Sequence, residues 1–301
     1  MSSVESFDAG YLKGLAKALL EGEVKGSEKT SQQPSPDSAD LPSVIEDVKR
    51  LLFPTHMTQI AESNEGQLES ILNRLGSKLL ELISRALCVH SAKEELESQR
   101  VRAKEIVSHL LQTLPELQRK LFSDVQAAYE GDPALFSIDE AIACYPGIRA
   151  LVYYRLAHEL ELSEVPLIPR MLTELAHSLT GIDIHPAAII GDKFFIDHGT
   201  GVVIGATAII GNNVRLYQGV ILGAKSIPKD ENGRAIKGVA RHPIIEDDVV
   251  IYAGAAILGR VTIGRQSVIG GNVWITCDVS PGTLVTQAEV NQTGFSQGAG
   301  I

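Results

Sequence analysis

Six positions carry side chains that could move a proton or hold a small charged molecule: Asp132, Asp183, Asp197, His198, Arg241 and His242. A neutral imidazole takes and returns protons near neutral pH. The adjacent Asp197-His198 pair, with a further carboxylate at Asp183, is therefore suited to removing a proton from a weak nucleophile. Arg241, directly before His242, offers a planar fork of donors that matches a carboxylate. Each residue also has a plainer reading. An Asp-His pair can simply decorate a surface corner, Asp132 in Gly-Asp-Pro can open a helix, and His242-Pro243 can close a loop. His185-Pro186 reads as a structural corner. His185, His198 and His242 stand 13 and 44 residues apart, a spacing that does not suggest a tight tetrahedral metal site, and no metal is expected.

The elements that must position these groups are legible as a repeat. Aliphatic residues stand at Ile184, Ile190 and Ile196, then after an eight-residue step at Ile204, Ile210, Leu216 and Leu222. A 22-residue interruption follows, and the six-residue period resumes at Ile245, Ile251, Ile257, Ile263, Ile269 and Ile275. Four residues after most of these comes a small or β-branched residue, including Ala188, Thr200, Ala208, Val220, Val249 and Ala255. Three short strands per coil make a prism in which each hexad supplies one face and one corner. The aliphatic residue fills the interior and the small residue fits the narrowing beside it. Thirteen hexads in register predict a parallel β-helix rather than a sandwich of independent strands.

Composition changes at the same place. From Gly181 onward the chain holds 19 of its 27 glycines, 19 Ile, 13 Val and only four Leu, whereas residues 1–180 are rich in Leu, Glu, Lys and Ala. The expected organisation is a flexible segment and linker over 1–44 and an α-helical domain over 45–180. A β-helix over 181–285, carrying a loop at 224–240, and a flexible tail over 286–301 complete it. Apolar residues at helical spacing from Leu68 to Ile83 mark one helix, and others are expected at about 95–112, 115–130, 136–144, 147–161 and 166–179. Pro115 is read as a break between two of them. The net charge of −10 argues against a nucleic-acid or anionic-lipid partner. No run of 18 apolar residues occurs, so no membrane span is expected. The three scattered cysteines and an N-terminus without a signal-like apolar stretch fit a cytoplasmic protein. Cys277 is expected to be buried, and Trp274 on an outward face is assigned no role.

Gly181-Ile-Asp-Ile-His-Pro-Ala-Ala188, Ile196-Asp-His-Gly-Thr-Gly201 and Arg241-His-Pro243 resemble the serine O-acetyltransferase family of hexapeptide-repeat acyltransferases. The likeness extends through Asp132-Pro133-Ala134 and Tyr154-Arg-Leu-Ala-His158. It implies a left-handed β-helix, trimers or paired trimers with sites between neighbouring prisms, and acetyl transfer from acetyl-CoA to the hydroxyl of L-serine. That step would serve cysteine synthesis. No permanently bound cofactor is implied, because acetyl-CoA is a cosubstrate. By this resemblance His198 is the general base, Asp183 orients its ring, and His242 helps position the hydroxyl. Arg241 binds the serine carboxylate, Asp132 and Asp197 bind its ammonium, and backbone near Gly223 and Ala253 faces the thioester and pantetheine arm. Lys225 or Lys229, in a loop read as structureless, is expected near the CoA phosphates. A tail ending in Ile301 could enter the active site of O-acetylserine sulfhydrylase.

Other functions share parts of this pattern. A hexapeptide acetyltransferase acting on homoserine or a sugar would keep the scaffold, although Arg241 with Asp132 and Asp197 favours a zwitterion. A β-helix carbonic anhydrase would need a close His-x4-His pair that is missing. A regulatory scaffold for the sulfhydrylase would not need the full set of Asp183, His198, Arg241 and His242.

Overall fold

The computed structural model describes residues 9–22, 35–57, 65–89 and 95–287. Helix α1 (Ala9–Gly22) exposes Leu12, Leu15 and Leu19. Within the segment read as linker, Asp37 accepts the Ala39 N–H to start a short 3-10 turn, and α2 (Leu41–Leu52) follows directly. Leu41 and Val44 are buried there, so residues 38–43 belong to the packed helical domain. Next come α3 (Pro54–Met57) and α4 (Glu65–Cys88), whose Ile71, Leu75, Leu79 and Ile83 line one buried stripe.

Helix α5 (Leu96–Gly131) corrects the expected break, because its 36 residues run straight through Pro115. Proline removes one backbone donor and crowds the preceding turn. Here Leu110, Leu114, Leu117 and Leu121 are buried on both sides of it, and that shared packing holds the turn in place. Helix α6 (Ile138–Cys144) is capped by Ser137, α7 (Pro146–Leu162) is the domain's central helix, and α8 (Ile168–Thr180) ends at Gly181 in the left-handed conformation.

The left-handed β-helix begins there. Its strands stack into three parallel sheets. The first sheet, called face A here, joins β1 (Asp183–Ile184), β4 (Val203–Ile204), β7 (Ile221–Gly223), β10 (Ala256–Leu258) and β13 (Trp274–Ile275). Face B joins β2 (Ile189–Ile190), β5 (Ile209–Ile210), β8 (Ile244–Ile245) and β11 (Thr262–Ile263). Face C joins β3 (Phe195–Ile196), β6 (Arg215–Leu216), β9 (Val250–Ile251), β12 (Val268–Ile269) and β14 (Leu284–Val285). All thirteen aliphatic positions of the hexads point inward and are buried.

The eight-residue step proves to be an inserted corner bulge. Ile196 and Ile204 keep their places inside, but the small buried position between them is Val202, not Thr200, which is exposed. The loop at 224–240 is not structureless. Lys229 and Ala235 form an antiparallel bridge, and Asp230 Oδ1 accepts the N–H groups of Asn232 and Arg234 to close the tip of a small hairpin. Cys277 lies on the surface, contrary to expectation, because its corner turns the side chain outward.

Side chains of the helical domain meet the free edge of the first coil. Tyr154 Oη donates to Ala188 O (2.6 Å), Arg155 Nη2 to Gly191 O (2.8 Å) and His158 Nδ1 to Pro186 O (2.8 Å). In return, Asp124 Oδ1 accepts the Phe194 N–H and Ser123 Oγ accepts the Lys193 N–H. Asp124 and Arg155 form a two-pronged pair, both almost wholly buried.

Candidate active site

Three chain segments converge where face C turns into face A. The first is the end of α5, where Asp132 follows the last helical residue. The second is the start of α7, where Tyr145 precedes the Pro146 that opens the helix. Gly147 lets this end of α7 lie directly on the β-helix, because a Cβ there would collide with the Ile196 carbonyl. The third is the corner bulge itself, Asp197-His198-Gly199.

His198 adopts φ +57°, a left-handed conformation that a β-carbon disfavours. The bulge projects its imidazole outward, with the side chain 70% exposed and Nδ1 3.8 Å from Asp197 Oδ1. Asp132 is fixed more firmly. Its Oδ1 accepts the Ala134 N–H (2.8 Å) and its Oδ2 accepts the Tyr145 hydroxyl (2.6 Å). The Tyr145 bond first, then the Ala134 N–H and the nearby His198 and Arg215, hold its carboxyl below the usual range. Arg215 lies over the Phe195 ring, 5.4 Å from its centre, and donates to Gly131 O at 3.2 Å.

His242 sits at the other edge of face A, where face A turns into face B. It is buried against Gly205. Its Nδ1 accepts the Thr207 N–H (3.1 Å). Thr207 Oγ1 accepts the N–H groups of Arg241 and His242, which leaves its own proton for Nδ1 at 2.8 Å. With two donors aimed at Nδ1, the ring proton must reside on Nε2. Burial, followed by Arg241, His185 and Arg260, pulls this imidazole down to about 4. His242 is therefore a neutral Nε2–H donor at neutral pH. His185 Nδ1 accepts the Ala187 N–H and turns its corner, a structural task.

The sequence-derived residues thus divide between two edges of one face. Asp132, Asp197, His198 and Ala253 lie at the C-to-A edge, and Arg241, His242, Gly223 and Lys225 at the A-to-B edge. Asp183 stands between them, on the outer side of β1, and no hydrogen bond joins it to His198 within the chain. In register below Asp183 runs an outward row of Val203, Ile221, Ala256 and Trp274, the last 71% exposed. Tyr145, Thr207 and Arg215 escaped the sequence reading. Tyr145 had one usable signal, as the residue just before a helix-opening Pro-Gly.

A bacterial transferase hexapeptide model (six repeats) matches residues 242–277. A plasmid-borne serine acetyltransferase of Synechococcus elongatus is 48% identical over 278 residues, covering 89% of this chain and 86% of that protein. A serine acetyltransferase of Mycobacterium tuberculosis is 44% identical over 58% of this chain and 72% of its own length. Among solved structures, serine acetyltransferase isoform 3 of Entamoeba histolytica, in complex with cysteine, superposes with a TM-score of 0.72 at 33% identity over 96% of both chains. The Neisseria gonorrhoeae serine acetyltransferase in complex with serine does so with a TM-score of 0.55 at 26% identity, over 83% of this chain and 97% of that one.

Proposed function

This chain belongs to the serine acetyltransferase family, and from that premise we propose that it transfers the acetyl group of acetyl-CoA directly to the hydroxyl of L-serine. The products are O-acetyl-L-serine and CoA, the entry into cysteine synthesis. The observation that carries the reading is the exposed His198 imidazole held on a strained bulge beside two carboxylates, Asp132 and Asp197.

Asp132 and Asp197 bind the serine ammonium and Arg241 its carboxylate. The serine hydroxyl accepts a hydrogen bond from His242 Nε2–H and donates its own to His198. As the oxygen attacks the thioester carbonyl, His198 takes its proton. Collapse of the tetrahedral intermediate breaks the carbon–sulfur bond, and the imidazolium returns the proton to the CoA sulfur. No acyl-enzyme forms. Asp183 steadies the imidazolium from face A once substrate is bound.

The two half-sites occupy opposite edges of face A, so a second prism must bring the A-to-B edge of one chain to the C-to-A edge of another. The apolar surface of Val203, Ile221 and Trp274 between them is what a homotrimer would bury, singly or as paired trimers. Acetyl-CoA then lies in the groove between prisms, along Gly223 and Ala253, with Lys225 or Lys229 toward its phosphates. Ile301, proposed to dock into O-acetylserine sulfhydrylase, lies outside the described residues.

The test is acetyl-CoA consumption with L-serine, L-homoserine and a panel of sugars. Serine-dependent turnover that falls about 10²–10⁴-fold in His198→Ala is expected for loss of a general base. Turnover on homoserine or sugars alone would overturn the substrate, and none on any of them the enzyme reading.

A further inference from the structure

An alkylammonium has three N–H donors, and recognition is complete when each finds an acceptor. Asp132 and Asp197 supply two. Neither oxygen of Asp132 is free to reorient, because Oδ1 is held by the Ala134 N–H and Oδ2 by the Tyr145 hydroxyl. Tyr145 in turn is anchored from both sides. Its N–H donates to Ala141 O at the end of α6, and its carbonyl accepts the Arg149 N–H at the start of α7, which is seated on Ile196 through Gly147, one residue before Asp197. Its ring packs against the buried core. Burial, the bond to Asp132 and the nearby charges of Asp132, Glu140 and Asp197 push its hydroxyl pKa far upward, so the O–H stays protonated at any working pH.

A phenol whose single proton is committed to one acceptor still offers its own lone pairs. We propose that Tyr145 is a specificity-determining residue: its hydroxyl locks the Asp132 carboxylate and presents the third acceptor of a pocket for a primary ammonium, completed by Asp132 and Asp197. The pocket selects an amino-acid acceptor over a hydroxy acid of the same length. The inference rests on the serine reading and names the part of the site that distinguishes serine from its uncharged analogues. Arg215, stacked on Phe195 and bonded to Gly131 O, fixes the α5 terminus from the other side and keeps Asp132 facing Tyr145.

The test is Tyr145→Phe, which removes one oxygen and keeps the ring. The Michaelis constant for L-serine should rise about tenfold, with kcat and the acetyl-CoA Michaelis constant changed less than about twofold. Inhibition by 3-hydroxypropanoate, which keeps hydroxyl and carboxylate but has no ammonium, should be unchanged. If serine and 3-hydroxypropanoate weaken in parallel, or the serine constant does not move, the proposal is overturned and Tyr145 is structural. Should the variant fold poorly, Tyr145→Met, which fills the space without a hydroxyl, must show the same selective loss of serine over 3-hydroxypropanoate. Failure of the underlying reading is separate: the unsubstituted enzyme would then not acetylate serine at all.

Discussion

Two corners of the same prism solve one backbone problem differently. Where face B turns into face C, each of the first four coils places one residue in the left-handed region, and those residues are Lys193, Asn213, Asp248 and Gln266. Where face C turns into face A, the equivalent places are Gly181, Gly201, Gly219, Gly254 and finally Asn272. A β-carbon in this conformation costs about 1–2 kcal/mol, a cost the first corner bears repeatedly. Backbone geometry alone therefore does not require glycine at the second. A Cβ on Gly201 would lie 3.6 Å from the Gly219 Cα, and one on Gly219 3.4 Å from the Gly254 Cα. Side chains there would run along the corner and fill it. The first corner is upholstered with polar side chains and, in its first coil, stapled to the helical domain through Asp124, Arg155, Ser123 and Arg119. The second keeps its first four turn positions free of side chains, with the Tyr217 and Tyr252 rings stacked on one another beside them, 5.0 Å between centres, and it projects His198 from the inserted bulge.

The sharpest way to break this contrast is His198→Gly. Activity should fall about 10²–10⁴-fold. The folded state should gain about 1 kcal/mol, because glycine relieves the left-handed strain. Denaturant midpoints and serine-dependent turnover read both, and a variant that is less stable as well as inactive would show His198 to be a packing residue. At the opposite corner the effects should reverse. Asp124→Asn leaves a buried Arg155 without its charge partner and should cost roughly 3–5 kcal/mol of stability. Residual folded enzyme should keep its serine Michaelis constant, and a selective rise in that constant would place the staple in the site.

The third corner, with His242, gives the smallest effect. Its imidazole titrates at about 4 in the folded chain, against an ordinary value near 6.5. The unfolded chain therefore binds the proton first as pH falls, so stability declines from about pH 6.5 down to about 4. Urea midpoints across that window should fall more steeply for the unsubstituted protein than for His242→Asn. Equal slopes would mean that the ring is solvated.

Most of the scaffold is legible without coordinates, because each hexad needs only its own six residues to declare a strand and a corner. The bulge carrying His198 is also visible, as the eight-residue step from Ile196 to Ile204. What the sequence hides is whatever depends on distant partners. Pro115 reads as a break because the leucines that keep its helix continuous count only once α5 is packed. Asp132 is visible by resemblance, but the Tyr145 hydroxyl bound to it belongs to another helix. Thr207 looks like any small corner residue, yet its hydroxyl serves two N–H donors and one imidazole that arrive after the 224–240 loop.

The bonds from Tyr154, Arg155 and His158 to the carbonyls of the first coil have a consequence beyond joining two domains. A stack of parallel strands has open ends, and an unpaired end is a template on which another chain can grow. Here those carbonyls are already occupied by side chains that cannot extend the ladder. The helical domain therefore works as a terminus for the solenoid: it makes the stack finite, guards it against end-to-end polymerisation, and gives the first coil a preformed surface on which to register. Each later coil then needs only the one before it.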